Sequence, residues 1–161
     1  MGKSTLLNRI LDNYPLKTGG FRTLPFENGH IGRGFYLAAS DEVPVANPKP
    51  ERIIALRAEN GRLQQFTGVF ETLGVAILSR CLANIPDLII MDELGFIENE
   101  ALNFQELVFR CLDLPALVLG VIKPLSTPFL DCIRARRDVA TFTVTPANRE
   151  ELFVKLRQQV L

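Results

Sequence analysis

Side chains that bind structural metals are scarce in this sequence. It has one histidine, His30, and three cysteines, and no two cysteines form a C-x-x-C pair. A structural zinc site needs about four Cys or His ligands at close spacing, so we do not expect one here. The odd number of cysteines and the lack of a recognisable secretion signal favour a reduced, cytoplasmic setting.

Excess charge of either sign is also missing. Lysine and arginine together number 18, as do aspartate and glutamate, so the formal net charge is zero. A chain without a basic field is not expected to bind nucleic acid. No uncharged run is long enough to suggest a membrane span. With 161 residues, 47% of them hydrophobic, the chain fits one globular domain, residues 1–161.

The strongest single signal is an apolar run that ends in two acids. Leu88, Ile89, Ile90 and Met91 read as a buried parallel strand, and Asp92-Glu93 follow at once. Ligands of parallel sheets bind at the carboxyl ends of the strands. This strand is therefore expected to deliver both carboxylates to a binding site.

The rest of the chain divides into alternating helix and strand patterns. Helices are predicted over 3–12, 70–84, 100–112 and 129–136 and from 148 onward, where Asn148 and Glu151 could cap the last helix. The segment that begins with Gly19-Gly20 is expected to punctuate the chain, and short strands follow up to Ala39. Further strands are predicted over 52–57, 88–91, 116–122 and 138–144, of which 116–122 is a second buried run, and a loop is predicted over 40–50. The pair Asn28-Gly29 predicts a hairpin turn, with His30 as a solvated loop residue and not a base. The predicted fold is α/β with three layers: a mostly parallel mixed sheet with helices on both faces.

A second chemical signal lies at the amino end. Gly2-Lys3-Ser4-Thr5 precedes an amphipathic helix and matches the end of the phosphate-binding loop G-x-x-x-x-G-K-[ST], called Walker A. Glycine lets the backbone approach a phosphate, and the N–H groups that open the helix point at the anion. Lys3 would bind the β and γ phosphates, the Ser4 hydroxyl would bind Mg²⁺, and Thr5 could contact the α phosphate.

The two acids complement this loop, in the manner of a Walker B strand. Asp92 would hold Mg²⁺ from the side opposite Ser4, and Glu93 would act as general base on the attacking water. Glu98 could be a further catalytic or water-ordering acid, or it could favour the start of the next helix through its charge.

These motifs together resemble the THEP1-type nucleoside-triphosphatases. Asp92-Glu93-Leu94-Gly95 with Glu98 looks like the family's D-E-x-G-x-x-E signature. Further matches are Gly2-Lys3-Ser4-Thr5-Leu6, Gly19-Gly20-Phe21, Phe70-Glu71, Arg137-Asp138 and Asn148-Arg149. The resemblance implies a RecA-like P-loop domain that uses Mg²⁺ to hydrolyse ATP, GTP and other nucleoside triphosphates with broad base selectivity.

The sequence departs from that family in two places. The strand and the first half of the phosphate loop, which should precede Gly2, are missing, and Met1 would occupy the last variable position of the motif. The loop from Asp41 to Pro50 lacks the Gly-Glu-Arg-Gly run expected there. We therefore expect the 161-residue chain to bind ATP weakly.

Two other functions stay open on the sequence. Arg134, Arg136 and Arg137 form a basic cluster that could hold a second phosphorylated substrate, as in a nucleotide or nucleoside kinase. The same cluster could be a solvated face beside Asp131 and Asp138. A non-catalytic nucleotide-binding module is the remaining alternative. The sequence names no partner protein.

Overall fold

The computed structural model describes residues 2–161, so Met1 and its predicted place in the phosphate loop lie outside the described residues. The helices are α1 Lys3–Leu11, α2 Val75–Ala83, α3 Leu102–Leu112, α4 Pro128–Arg134 and α5 Arg149–Val160. The strands are β1 Thr18–Asn28, β2 Gly32–Ala39, β3 Ile53–Arg57, β4 Leu63–Gln65, β5 Leu88–Leu94 and β6 Leu117–Ile122. Single turns of 3₁₀ or π helix lie at Pro50–Arg52, Phe70–Gly74 and Ile97–Glu100.

The strands form one mixed sheet in the order β4-β3-β2-β1-β5-β6. β1, β5 and β6 are parallel, whereas β1 to β4 pair antiparallel as a meander. Among residues 2–161 two strand pairings are parallel and three are antiparallel, so the sheet is mixed, as predicted, but it is not mostly parallel. β5 is flanked on both sides, and its side chains from Leu88 to Met91 are at most 1% exposed. The prediction of a buried strand is confirmed.

Helices cover both faces of the sheet, as predicted. On one face α2, α3 and α4 pack on Phe21, Ile89 and Met91, and Phe104 makes edge-to-face contacts with Phe21 and Phe70. On the other face α1 and α5 pack on Leu88 and Ile90. Because β5 contributes alternate residues to each cluster, it lies at the centre of both cores.

Gly19 and Gly20 lie within β1, so they do not mark a break between two elements. β1 begins at Thr18 and pairs with β5 through both glycines. At Gly20 φ is +90°, and a Cβ there would lie 2.0 Å from the carbonyl oxygen of Ile90. Glycine is required here because the backbones of β1 and β5 approach too closely for any side chain.

Two predicted strands need correction, and one strand was not predicted. β6 is an edge strand with Leu117 exposed, so its apolar run is only partly buried. Residues 138–144 are not a strand, and residues 63–65 form the short edge strand β4. Apolar composition identified strand-like runs, but it could not say whether a neighbouring strand pairs with them.

A cavity of about 470 Å³ lies between β6, α1, α5 and the segment 139–144. Its wall is mainly apolar and includes Leu119, Val121, Phe142 and Leu152, and Lys3 lies on the same wall. No helix within residues 2–161 is both long and apolar enough to cross a membrane.

Candidate active site

The two acids at the end of β5 have different surroundings. Asp92 is 2% exposed, and its Oδ1 is buried without a hydrogen-bond partner among residues 2–161. Burial raises its pKa from 3.8 to about 6, although the nearby Arg22 guanidinium opposes the rise. Glu93 is partly exposed, with a side-chain exposure of 28%. One strand end thus presents a buried oxygen that lacks a partner and a carboxylate that solvent can reach.

Arg22 connects Asp92 to the first helix. It lies on β1, directly opposite Asp92 in the parallel register. Its Nη2 donates a hydrogen bond to Oδ1 of Asn8 on α1, at 2.5 Å. α1 is therefore held against β1 beside the Asp92 carboxylate.

The predicted phosphate-binding residues open α1 on this side of the sheet. Gly2 precedes the helix with φ of +106°, which favours glycine, and Lys3 is partly buried. Ser4 and Thr5 are exposed. Lys3 lines the 470 Å³ cavity together with Met91, the residue before Asp92. That cavity is not lined by Asp92 or Glu93, so the link between α1 and the end of β5 is the Arg22–Asn8 hydrogen bond beside Asp92.

A second cation approaches the start of α1. A Cβ on Gly2 would lie 2.6 Å from Nη2 of Arg149, the first residue of α5. The predicted cap of α5 by Asn148 and Glu151 is wrong, because Asn148 makes no side-chain cap hydrogen bond to the helix. Its side chain instead bonds the preceding turn, at Thr145 N–H and the Thr143 carbonyl. That turn brings Arg149 to Gly2.

Glu93 is paired with a lysine that follows β6. Lys123 Nζ lies 3.0 Å from Glu93 Oε1 and 5.3 Å from the centroid of the Phe96 ring. A small cavity of about 60 Å³ beside this pair is lined by Thr23, Glu93, Glu98 and Lys123, among others.

Glu98 is buried in the turn after β5. It is 2% exposed, and its Oε1 accepts a hydrogen bond from the N–H of Gly95. Burial raises the pKa of its carboxyl, against the Gly95 hydrogen bond and the Lys123 charge. This geometry favours a role for Glu98 in holding the turn that follows Glu93 and the end of β5 over direct contact with water.

The donor set suits a magnesium ion that is completed by its substrate. Residues 2–161 contain no cluster of three or more His, Cys, Asp or Glu side chains that could enclose a metal alone. Mg²⁺ is usually held by one or two carboxylates, waters and substrate phosphates. The partnerless Oδ1 of Asp92 fits that requirement.

The basic cluster of the kinase hypothesis is largely engaged within the fold. Arg134 contacts Asp131 and the backbone carbonyls of Lys123 and Leu125. Arg136 bonds the carboxylates of Asp113 and Asp138, which raises the pKa of its guanidinium. These two arginines thus have structural partners, which favours a hydrolase over a kinase.

Sequence reasoning did not identify Arg22, Lys123 or Arg149 as site residues. Each of them lies beside a site residue that is distant in the sequence. Arg22 lies opposite Asp92, Lys123 pairs with Glu93, and Arg149 lies beside Gly2. Lys123 follows a predicted buried strand, as Asp92 does, and that position could have drawn attention to it. His30, predicted to be a loop residue, is exposed at the hairpin turn.

Comparison with known proteins shows the family of the chain. A family model described as NTPase matches residues 1–157. A protein of Thermotoga maritima named nucleoside-triphosphatase THEP1 is 33% identical over 94% of this chain and 85% of its own length. A protein of the same name from Methanothermobacter thermautotrophicus is 25% identical over 96% of this chain and 87% of its own length.

A solved structure supports the fold. The crystal structure of THEP1 from the hyperthermophile Aquifex aeolicus superposes with a TM-score of 0.75 and 21% identity, over 99% of this chain and 92% of that chain. The resemblance and the α/β fold predicted from the sequence are both confirmed.

Proposed function

The chain belongs to the NTPase family, and we propose that it hydrolyses nucleoside triphosphates to diphosphate and phosphate with Mg²⁺. The reaction would take place between the start of α1 and the end of β5. The relatives are named for nucleoside triphosphates without a particular base. That supports ATP and GTP as substrates and broad base selectivity.

The triphosphate would lie across the opening of α1. Gly2 leaves the backbone accessible, and the first N–H groups of the helix, with its dipole, favour an anion there. Lys3 would bind the β and γ phosphates, and Thr5 would contact the α phosphate. Both side chains lie at the first turn of the helix, so one bound phosphate chain can reach them together.

Mg²⁺ would be held by the Ser4 hydroxyl and by Asp92, with the substrate phosphates completing its shell. When bound, the ion would neutralise charge on the phosphate oxygens. The single observation that carries the proposal is the Asp92 Oδ1 at the end of β5, which is buried and has no hydrogen-bond partner in the part of the chain that the structure describes. A carboxylate is costly to bury unpaired, so a ligand is the simplest reason for it.

Glu93 would accept the proton of the attacking water. It is adjacent to Asp92, and solvent reaches its carboxylate. Glu98 would act behind it by fixing the Gly95 turn, through the hydrogen bond from the Gly95 N–H. Water is the expected phosphoryl acceptor because a base stands next to the metal acid and the arginine cluster is engaged elsewhere.

Three cysteines without disulfide partners fit a reducing compartment, so we place the reaction in the cytoplasm.

Phosphate release from ATP and GTP tests this proposal. The protein is assayed with Mg²⁺ and with a chelator, beside Glu93→Gln and Asp92→Ala. We expect Mg²⁺-dependent release, a loss of about 10²–10⁴ in kcat for Glu93→Gln, and loss of the Mg²⁺-dependent release for Asp92→Ala. A Glu93→Gln protein that hydrolyses as fast as its parent would remove Glu93 from the mechanism.

The same preparation tests the alternatives. Phosphorylation of an added nucleoside or nucleotide faster than water is consumed would make the protein a kinase. Calorimetry with ATP tests the expected weak binding by the 161-residue chain, and a sub-micromolar Kd would contradict it.

A further inference from the structure

We infer that Lys123 is a positioning residue for Glu93, holding one carboxylate oxygen so that the other is directed to the attacking water. This inference rests on the proposed function. Lys123 Nζ lies 3.0 Å from Glu93 Oε1, and the two side chains are 33% and 28% exposed. The nearest carboxylate oxygen to the ammonium is Oε1, and a general base needs one oxygen for its proton, which Oε2 would supply.

The backbone of Lys123 is anchored on both sides. Its N–H donates to the carbonyl of Leu94 at 2.8 Å, which ties it to the end of β5. Its carbonyl accepts a hydrogen bond from Arg134 Nη2 at 2.6 Å. Arg134 also donates to the Leu125 carbonyl at 2.7 Å and to Asp131 at 2.9 Å. The loop that follows β6 is therefore fixed at the point where the lysine leaves it.

The lysine side chain is also confined. Its Cδ lies 3.0 Å from where a Cβ on Gly95 would be, so the stem covers that glycine. Its ammonium lies 5.3 Å from the centroid of the Phe96 ring. Gly95 and Phe96 both belong to the turn that Glu98 holds from inside. Contacts between the Lys123 side chain and the turn after Glu93 therefore restrict the positions of both.

A different cationic side chain lies near each acid of the site, Arg22 near Asp92 and Lys123 near Glu93. Arg22 faces Asp92 from β1 and lowers the pKa of that carboxyl against the effect of burial. Lys123 pairs with Glu93 from the segment after β6, on the other side of β5, and its charge also reaches Glu98. An ion pair this exposed contributes little to stability. Its role is better explained by geometry, since small displacements of a reacting group lower rates strongly.

A double-mutant cycle tests the inference. The proteins are wild type, Lys123→Met, Glu93→Gln and the double variant, with Lys123→Arg as the conservative change. Lys155→Met is the matched control, because Lys155 also places its ammonium over a phenylalanine, 4.6 Å from the Phe142 centroid, but outside the proposed site. Phosphate release with MgATP gives kcat and KM, and thermal unfolding monitors the fold.

We expect Lys123→Met to lower kcat about tenfold to a hundredfold while KM stays within about twofold. Lys123→Arg should recover part of the loss, and Lys155→Met should match wild type. In the Glu93→Gln background Lys123→Met should have no further effect, since the residue it positions is already absent. An equal loss in both backgrounds, or a loss confined to KM, would overturn the inference and make Lys123 a phosphate contact.

Amine labelling separates this inference from the proposed function. Acetylation of Lys123, followed by mass spectrometry, requires no turnover. We expect severalfold faster labelling in Glu93→Gln than in wild type, with Lys155 unchanged. If Glu93→Gln keeps full activity, the proposed function fails. If Glu93→Gln is slow but neither the rate of Lys123→Met nor the labelling changes, only the role of Lys123 fails.

Discussion

Replacing Asp92 with asparagine is expected to stabilise the folded protein at neutral pH. The Asp92 side chain is 2% exposed, and its Oδ1 has no hydrogen-bond partner. Burial raises its pKa from 3.8 to about 6. The folded state therefore bears a cost for the charged carboxylate that a neutral amide of the same shape avoids.

The size and sign of this effect follow from the two pKa values. The rise in the Asp92 pKa from 3.8 to about 6 on folding corresponds to at most about 3 kcal/mol of the free energy of unfolding. The folded pKa is the higher one, so the cost is absent below 3.8 and complete above about 6. Wild type should lose this stability as the pH rises through that window, whereas Asp92→Asn should not.

Urea unfolding of both proteins at about pH 4 and about pH 7 measures the difference. Asp41→Asn, in an exposed loop, is the control for a change of charge alone. The reasoning is refuted if the free-energy difference between wild type and Asp92→Asn is the same at both pH values. MgATP should raise the unfolding midpoint of wild type and not that of Asp92→Asn.

Two other predictions concern the fold. Gly20→Ala should destabilise by several kcal/mol more than Gly32→Ala when their urea unfolding is compared, because both have positive φ but only Gly20 meets a backbone oxygen, that of Ile90. Equal losses would mean that the contact between β1 and β5 is relaxed in solution. A thiol reagent should modify one cysteine of the native protein quickly, because Cys132 is exposed whereas burial raises the pKa of Cys81, and that of Cys111 to about 12. Rapid modification of all three before unfolding would show that the core opens.

The parts of the fold predicted from sequence are those with strong local patterns. The run Leu88–Met91 is apolar throughout and is buried on both faces, and the helices that carry Leu6, Leu107 and Leu152 have apolar residues at helical spacing. Periodicity reports burial directly, so these elements were predicted within a few residues of their ends.

The incorrect predictions concern segments whose structure depends on pairing with strands that are distant in the sequence. Residues 138–144 have a strand-like composition, yet they are not a strand. Gly19 and Gly20 look like a turn, yet they pair with β5 because only glycine fits beside Ile90. One sequence carries no information on which strand lies beside another.

The same limit applies to the candidate site. Two short motifs predict the site residues Lys3, Ser4, Asp92 and Glu93. In each motif, residues adjacent in the sequence serve the same function. Arg22 precedes Asp92 by 70 residues, and Lys123 follows Glu93 by 30 residues. Each cation reaches its acid from the neighbouring side of β5. Such partners become visible only when the strand order is known.

The most direct test of the account is a crystal structure with a non-hydrolysable ATP analogue and Mg²⁺. It should place the β and γ phosphates against Lys3 and the opening of α1, with the metal between Ser4 and Asp92 and a water beside Glu93. A nucleotide bound elsewhere on the molecule, or a metal that Asp92 does not approach, would contradict it.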